Sequence, residues 1–310
     1  MWTRGRFNEE YIPGLFALMV DANRTKRHQS MWRDLVTMKT SKKKKEENVI
    51  RSGLGMPAVK GEGAAVTYDT QISGPKQTWI PDVYALAVRI TEEAIDDNLY
   101  ELNGGGRSDD LKELAVDLGE SLEENYEVLH ARLFNSGTAT TYHTTRFGSS
   151  YPLFSATHPR LDGSTFSNLA TNADLTYDVF WSLVVAAENQ TNHRQFKIQK
   201  KIKSLWIPPE YEKKAREILF SSDRPDTPNR AISSLVQSGR KIMLKVWPYI
   251  TDTDMYVLQL DGEGIIHFTL RKNRFAREKD FQTGDMMIKG DQRWSVEIND
   301  EQDFYGNIPA

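Results

Sequence analysis

The residues of this 310-residue chain whose chemistry could build a site are six histidines, a close aspartate pair, an acidic cluster, a lysine run and a glycine triad. His28, His130, His143, His158, His193 and His267 are scattered, and no two stand four apart as a helical zinc site requires. Each therefore reads as a structural or solvent-facing side chain. Asp252 and Asp254, in YITDTDMYV, occupy alternate positions that would share one face of a strand and could hold magnesium. With no third carboxylate nearby, they read better as a turn between two strands. Glu92, Glu93, Asp96 and Asp97 form an acidic patch, a solvated helix face or the partner of a basic neighbour. Gly104, Gly105 and Gly106 have neither a G-x-G-x-x-G pattern nor a following lysine-serine, so they read as a hinge rather than a phosphate cradle. Lys42, Lys43, Lys44 and Lys45 precede Glu46 and Glu47 and are either phosphate contacts or a solvated linker. The chain has no G-x-S-x-G elbow, P-loop or Rossmann fingerprint. It has no cysteine, which excludes disulfides, thiolate zinc sites and a cysteine nucleophile. The expectation is no catalytic residue, no bound metal and no cofactor.

The length suits two compact domains or one core with long excursions. Apolar residues make up 39% of the chain, with seven tryptophans, which is enough for a core. A mean hydropathy of −0.57 and 27% charged residues imply a large surface around it, as in a flat or extended molecule. The net charge of −3 gives no global attraction to nucleic acid or to an anionic membrane. No apolar run is long enough to span a bilayer and the N-terminus lacks the run of a signal peptide, so a cytoplasmic, soluble product is expected.

The element that must organise the rest runs from Ser108 to Phe134, with Asn135-Ser136-Gly137 as its stop. Leu111, Leu114, Ala115, Leu118, Leu122, Tyr126, Leu129 and Leu133 recur at steps of three and four and form one apolar stripe on a helix roughly 40 Å long. Residues 1–52 read as an arm. From Gly53 to Pro81, glycines and prolines punctuate alternating segments at Ala64 to Ile72 and Gln77 to Ile80, the pattern of a long β-hairpin that needs a neighbouring surface. Val83 to Ile90 reads as a buried strand, and TEEAIDDNLYEL as a short acidic helix. A polar loop of about forty residues follows the long helix. A second amphipathic helix is expected at Tyr177 to Thr191, capped by Asp174 or Thr176. SLWIPP then gives a strand stopped by prolines, EYEKKAREILF a helix, and the C-terminal region several strands. The fold class is α+β.

Four segments in order resemble one family. PLFSATHPRLDGSTFSNLATNADLT, LWIPPEYEKKAREILFSS, WPYITDTDMYVLQL and the closing FTLRKNRFAREKDFQTGDMMIKGDQRWSVEINDEQDFYGN are similar to segments of the Mu-like major head subunits of tailed bacteriophages. The likeness covers residues 53–307. It implies a Hong Kong 97-type capsid fold: an N-terminal arm at 1–52 and an extended loop at 53–82. A peripheral domain at 83–197 would contain a spine helix at 108–135, followed by an axial domain at 198–266 and peripheral-domain strands at 267–310. It implies a structural protein that assembles into pentamers and hexamers of an icosahedral shell in the host cytoplasm and resides in the virion. Its partners would be a scaffolding protein, a portal, a decoration protein and packaged double-stranded DNA bound without sequence preference, with no membrane. Lys60, Glu62, Tyr68, Lys76 and Trp79 would then be intersubunit loop residues, and Gly104, Gly105 and Gly106 the hinge before the spine helix. Arg4, Arg6, Lys42, Lys43, Lys44 and Lys45 would be candidate DNA-facing residues. The alternatives are an encapsulin-like compartment shell of the same fold and a metal-dependent hydrolase built on Asp252, Asp254 and His267.

Overall fold

A computed structural model of the chain describes residues 12–93, 108–139, 145–146, 149–150, 152–170, 173–221, 223 and 233–307. Helix α1 (Ile12–Gln29) and the short α2 (Trp32–Leu35) lead into strands β1 (Thr37–Thr40), β2 (Glu46–Arg51), β3 (Ser73–Trp79) and β4 (Asp82–Ile90). The long helix α3 (Ser108–Asn135) starts where expected and ends one residue later, at Asn135. Small hairpins β5 (Thr145–Arg146) with β6 (Ser149–Ser150) and β7 (His158–Pro159) with β8 (Thr165–Phe166) follow. Next come α4 (Tyr177–Glu188), β9 (Ile202–Ile207), α5 (Glu212–Phe220), α6 (Ser234–Gln237) and β10 (Met243–Val246). Strands β11 (Tyr256–Leu260), β12 (Ile265–Lys279), β13 (Met286–Ile298) and β14 (Phe304–Asn307) complete the chain.

Two four-stranded sheets carry the architecture, in the orders β1-β12-β13-β4 and β10-β9-β11-β14. Helix α3 lies on the first. Ala115 and Leu118 pack there with Ile90, Met286 and Ile288, while Tyr126 stacks on Trp294 at 5.0 Å. The other side of α3 is also covered, because α1 crosses it closely. A Cβ at Gly119 would lie 2.4 Å from the Met19 carbonyl oxygen, so only glycine permits this approach. The side-chain amide of Asn23 donates to the Gly119 carbonyl at 2.9 Å. Where the second sheet meets the end of α3, Phe134 makes edge contacts with Trp206 and Trp247. Full burial of each such ring contributes roughly 1.5–3 kcal/mol, so this aromatic junction dominates the core.

Four expectations need correction. Residues 12–52, read as an arm, are integrated: Leu15, Met19, Trp32 and Leu35 are buried, and β1 pairs with β12. Strand β3 does not pair with residues 64–72 but with β2, drawn from the segment read as a polar run; cross-strand charge pairs hid its strand character. Strand β4 is not buried, because it forms the sheet edge with Val83 57% and Leu86 48% exposed. The second apolar cluster begins at Leu175 rather than 198, since α4 packs on β9 and β11, and β14 joins the same sheet. Periodicity showed that Tyr177–Glu188 has an apolar face without showing which sheet it covers. Thr176 does cap it, accepting from the Val179 amide at 3.3 Å.

Candidate assembly surfaces

The constellations that could have done chemistry are not assembled. The Asp252 carboxylate accepts from the Asp254 amide at 3.0 Å, which makes the pair a turn, and the Tyr211 hydroxyl donates to Asp254 at 3.2 Å. His267 instead sits fully buried beside α3, stacked on Trp294 at 5.1 Å. Among the described residues, no group of three or more His, Asp or Glu could hold a metal ion.

Two of the scattered histidines meet after all. The Tyr126 carbonyl accepts from His130 Nδ1–H at 2.6 Å, so His130 Nε2 accepts from His267 Nδ1–H at 3.1 Å. Burial holds both rings neutral, at about 3 for His130 and about 2 for His267, with the His130 neighbour adding to the latter. Beside them the Glu127 carboxylate accepts from the Met31 amide at 2.6 Å and from Trp247 Nε1 at 2.7 Å. Burial raises its pKa against those bonds. This is a structural joint that locks α1 and α2 to α3. No local spacing foretells it, because its members are about a hundred residues apart.

The exposed apolar surface lies elsewhere. Between β2 and β3, residues 52–72 contain no strand, and Leu54, Met56, Val59, Val66 and Tyr68 are exposed at 63, 78, 102, 55 and 90%. The base of this loop is tied: the Ser52 amide donates to the Ile72 carbonyl at 3.0 Å, and the Gly55 amide to Asp69 at 2.6 Å. That amide and Arg194 hold the Asp69 carboxyl below its usual range. Arg194 closes the clamp by donating to the Thr70 carbonyl at 2.7 Å and to Ser52 Oγ at 3.3 Å. It projects from the turn after α4, where Asn192 Oδ1 accepts from the Arg194 and Phe196 amides. Sequence reading missed Arg194; the asparagine two residues before it was the available signal. Further exposed apolar residues are Ile80, Val83 and Leu86 along the β4 edge and Phe281 at the β12–β13 turn.

Of the expected loop residues, Lys60, Glu62 and Tyr68 are exposed on this loop. Lys76 lies on β3, paired with Glu47. Trp79 is a correction: it is 1% exposed and meets Phe268 edge-on at 5.4 Å, so it anchors the hairpin to the first sheet instead of facing outward. Lys43 pairs with Glu46 at 3.2 Å and Lys45 with Glu47 at 2.6 Å, whereas Lys42 and Lys44 are exposed. Arg4, Arg6, Gly104, Gly105 and Gly106 lie outside the described residues. The long polar loop after α3 is organised around buried Asn168, which donates to the Leu153 carbonyl at 2.7 Å and accepts from the Ser155 amide at 2.9 Å. Among the described residues, no helix is long and apolar enough to cross a membrane.

No family model matches the chain, and no curated protein sequence matches it. Solved structures do resemble it. The capsid of the cyanophage P-SCSP1u is 12% identical over 91% of this chain and 88% of that one, with a TM-score of 0.56. The capsid of an empty GTA particle is 11% identical over 89% and 88%, also at 0.56. A structure of the Microbacterium phage Oxtober96 is 11% identical over 91% of each chain, at 0.55. The chain therefore has the Hong Kong 97-type capsid fold, an α+β architecture with a long spine helix.

Proposed function

We propose that this chain is the major subunit of the head shell of a tailed double-stranded DNA phage, assembling into pentamers and hexamers around the genome. The observation that carries this reading is the loop at 52–72: a thin excursion, tied at its base, whose apolar side chains are left exposed among the described residues. A chain with this fold and such an excursion buries it on a neighbouring copy, and closed symmetry multiplies a modest contact many times. The second sheet, with α4 and α5 packed on it, is the axial portion that meets its copies around the symmetry axes, and the peripheral portion contains α3. A scaffolding protein directs assembly in the host cytoplasm, a portal fills one vertex, and a decoration protein and non-specifically bound DNA are the remaining partners. The shell resides in the virion.

The test is deletion of residues 57–67, which spares the Ser52–Ile72 closure and the β2–β3 pairing. Size-exclusion chromatography and negative-stain electron microscopy, with scaffold genes co-expressed, should show closed shells from the parent chain. The deletion should give soluble subunits or single capsomers with an unchanged melting temperature. Closed shells from the deleted chain would overturn the role given to this loop, and a parent chain that stays monomeric under both conditions would overturn the shell reading itself.

A further inference from the structure

The chain crosses between the two sheets at residues 261–264, from β11 to β12, and at residues 299–303, from β13 to β14. These crossings lie side by side, since the Asn299 and Asp300 amides donate to the Gly264 carbonyl at 2.7 and 3.0 Å. Lys200, which precedes β9, reaches into this joint. Its ammonium donates to Asp303 Oδ1 and, at 3.1 Å, to Asp300 Oδ2. The other oxygen of Asp300 accepts from the Gln302 amide at 3.0 Å, which holds that carboxylate in place.

Asp303 is the unusual member. Its side chain is 1% exposed, and two glycines close over it: a Cβ at Gly262 would lie 2.1 Å from Oδ2, and one at Gly264 would lie 2.6 Å from the Asp303 Cβ. Among the described residues, Asp303 Oδ2 has no hydrogen-bond partner. No ligand can reach an atom so enclosed, and a charged carboxylate oxygen without a donor is costly there. Burial, with the charges of Asp300 and Asp261, lifts the Asp303 carboxyl well above the usual carboxylate range, although Lys200 opposes the rise. Burial lowers the pKa of Lys200, but the two carboxylates outweigh it and keep the ammonium charged.

We propose that Lys200 and Asp303 condense into an intramolecular amide bond, with Asp300 carrying the proton. Asp300 takes a proton from the Lys200 ammonium and frees the amine, which attacks Asp303 Cγ. The Nζ–Cγ bond forms and the Cγ–Oδ1 bond breaks. Asp300 returns the proton to the departing hydroxyl, which leaves as water, and the new amide nitrogen releases its surplus proton to solvent. An ammonium and a carboxylic acid thus give an amide, a water and a proton, with no oxidant or cofactor. Proximity drives a condensation that the free groups do not undergo in water. The Lys200 and Asp300 side chains, 25 and 31% exposed, give the water and the proton a way out. Oδ2 ends as a neutral amide oxygen, which removes the buried unanswered charge. The reaction is complete within one chain and does not depend on shell assembly.

Intact-mass spectrometry of the full chain, denatured after incubation at neutral pH, tests this. The parent should be lighter than its sequence by one water. Trypsin, which does not cut after an acylated lysine, should release residues 198–201 joined to residues 294–310, with the link at Lys200 and Asp303 on fragmentation. Lys200→Arg keeps a cation beside both carboxylates and should have its full sequence mass, with the circular dichroism spectrum of the parent. Asp303→Asn presents a carboxamide and should lose one ammonia in place of one water. Asp300→Ala should retain its full mass. A parent chain at full sequence mass overturns the proposal. A water loss that persists in Lys200→Arg also overturns it, because the dehydration then lies elsewhere, as in a succinimide at Asp261-Gly262. A water loss as fast in Asp300→Ala as in the parent would remove the role given to Asp300.

Discussion

Along α3 the side chains of residues that ought to seek water are hidden: Glu123, Glu127 and His130 are at 1, 3 and 0% exposure. Between Ser52 and Ile72 the reverse holds, with Val59 fully exposed and Tyr68 90% exposed. In the first region the buried polar groups are answered within the chain, by Arg33, Trp32, Met31, Trp247 and Tyr126. In the second, the polar groups at the loop base are answered while the apolar ones are not. The helix is specified by its own fold, whereas the loop's composition makes sense only against a surface supplied from outside.

The sharpest way to break this contrast is to put an unpaired charge into the first region. Leu118 is 3% exposed, in the cluster with Met19, Ile90 and Met286. Leu118→Asp should abolish cooperative unfolding, because an unpaired buried carboxylate adds to the loss of a core side chain worth about 2–5 kcal/mol. That approaches the whole stability of a domain. Circular dichroism melts would show it, and a variant that still melts cooperatively within a few degrees of the parent would refute the packing described for α3.

The helix was also the most legible part of the sequence, for a physical reason: a 3.6-residue period repeated over eight apolar positions is a local signal. What it could not show was that the face carrying Glu123 and Glu127 is buried as well, because the covering elements, α1 and α2, lie about ninety residues earlier. The β2–β3 pairing was illegible for a related reason. TSKKKKEENVIR looks like a linker until β3 is set beside it, with Lys76 opposite Val49 and reaching diagonally to Glu47, and register is a long-range property. The glycines and prolines of 53–81 suggested a hairpin within that stretch, but its only strand, β3, pairs with β2 instead. Trp79 was misjudged with it, since nothing local distinguishes an aromatic that faces a neighbour from one that anchors a strand. The His130–His267 pair, 137 positions apart, had no sequence signature at all.

That pair gives a second, smaller test of the helix region. Both rings are neutral when folded and protonate in the unfolded chain below its ordinary histidine pKa. The unfolded state therefore binds more protons between about pH 6.5 and pH 3, and stability falls as pH drops through that window. From pH 7 to pH 5 the loss should be about 2 kcal/mol per ring, at 1.36 kcal/mol for each pH unit below 6.5. Urea unfolding at the two pH values should show a steeper decline for the parent than for His130→Phe/His267→Phe, whose rings do not titrate. Equal slopes would show that the pair is open to water in the folded state.

The smallest effect belongs to the loop. Arg194 joins Thr70 and Ser52 across the loop base with its side chain 21% exposed, and no apolar cluster depends on it. Arg194→Ala should change global stability by no more than about 1 kcal/mol, the net worth of a few partly solvated hydrogen bonds. The change should appear locally, as faster amide exchange at Gly55, Thr70 and Ile72, with the amides of β2 and β3 unaffected. If the loop folds onto a neighbouring copy, that faster exchange should vanish in assembled shells, because the neighbour then does the ordering that Arg194 does in the free subunit. Exchange that stays fast in shells would mean that the exposed apolar residues of 52–72 are not covered on assembly, and the contrast between the two regions would need another cause.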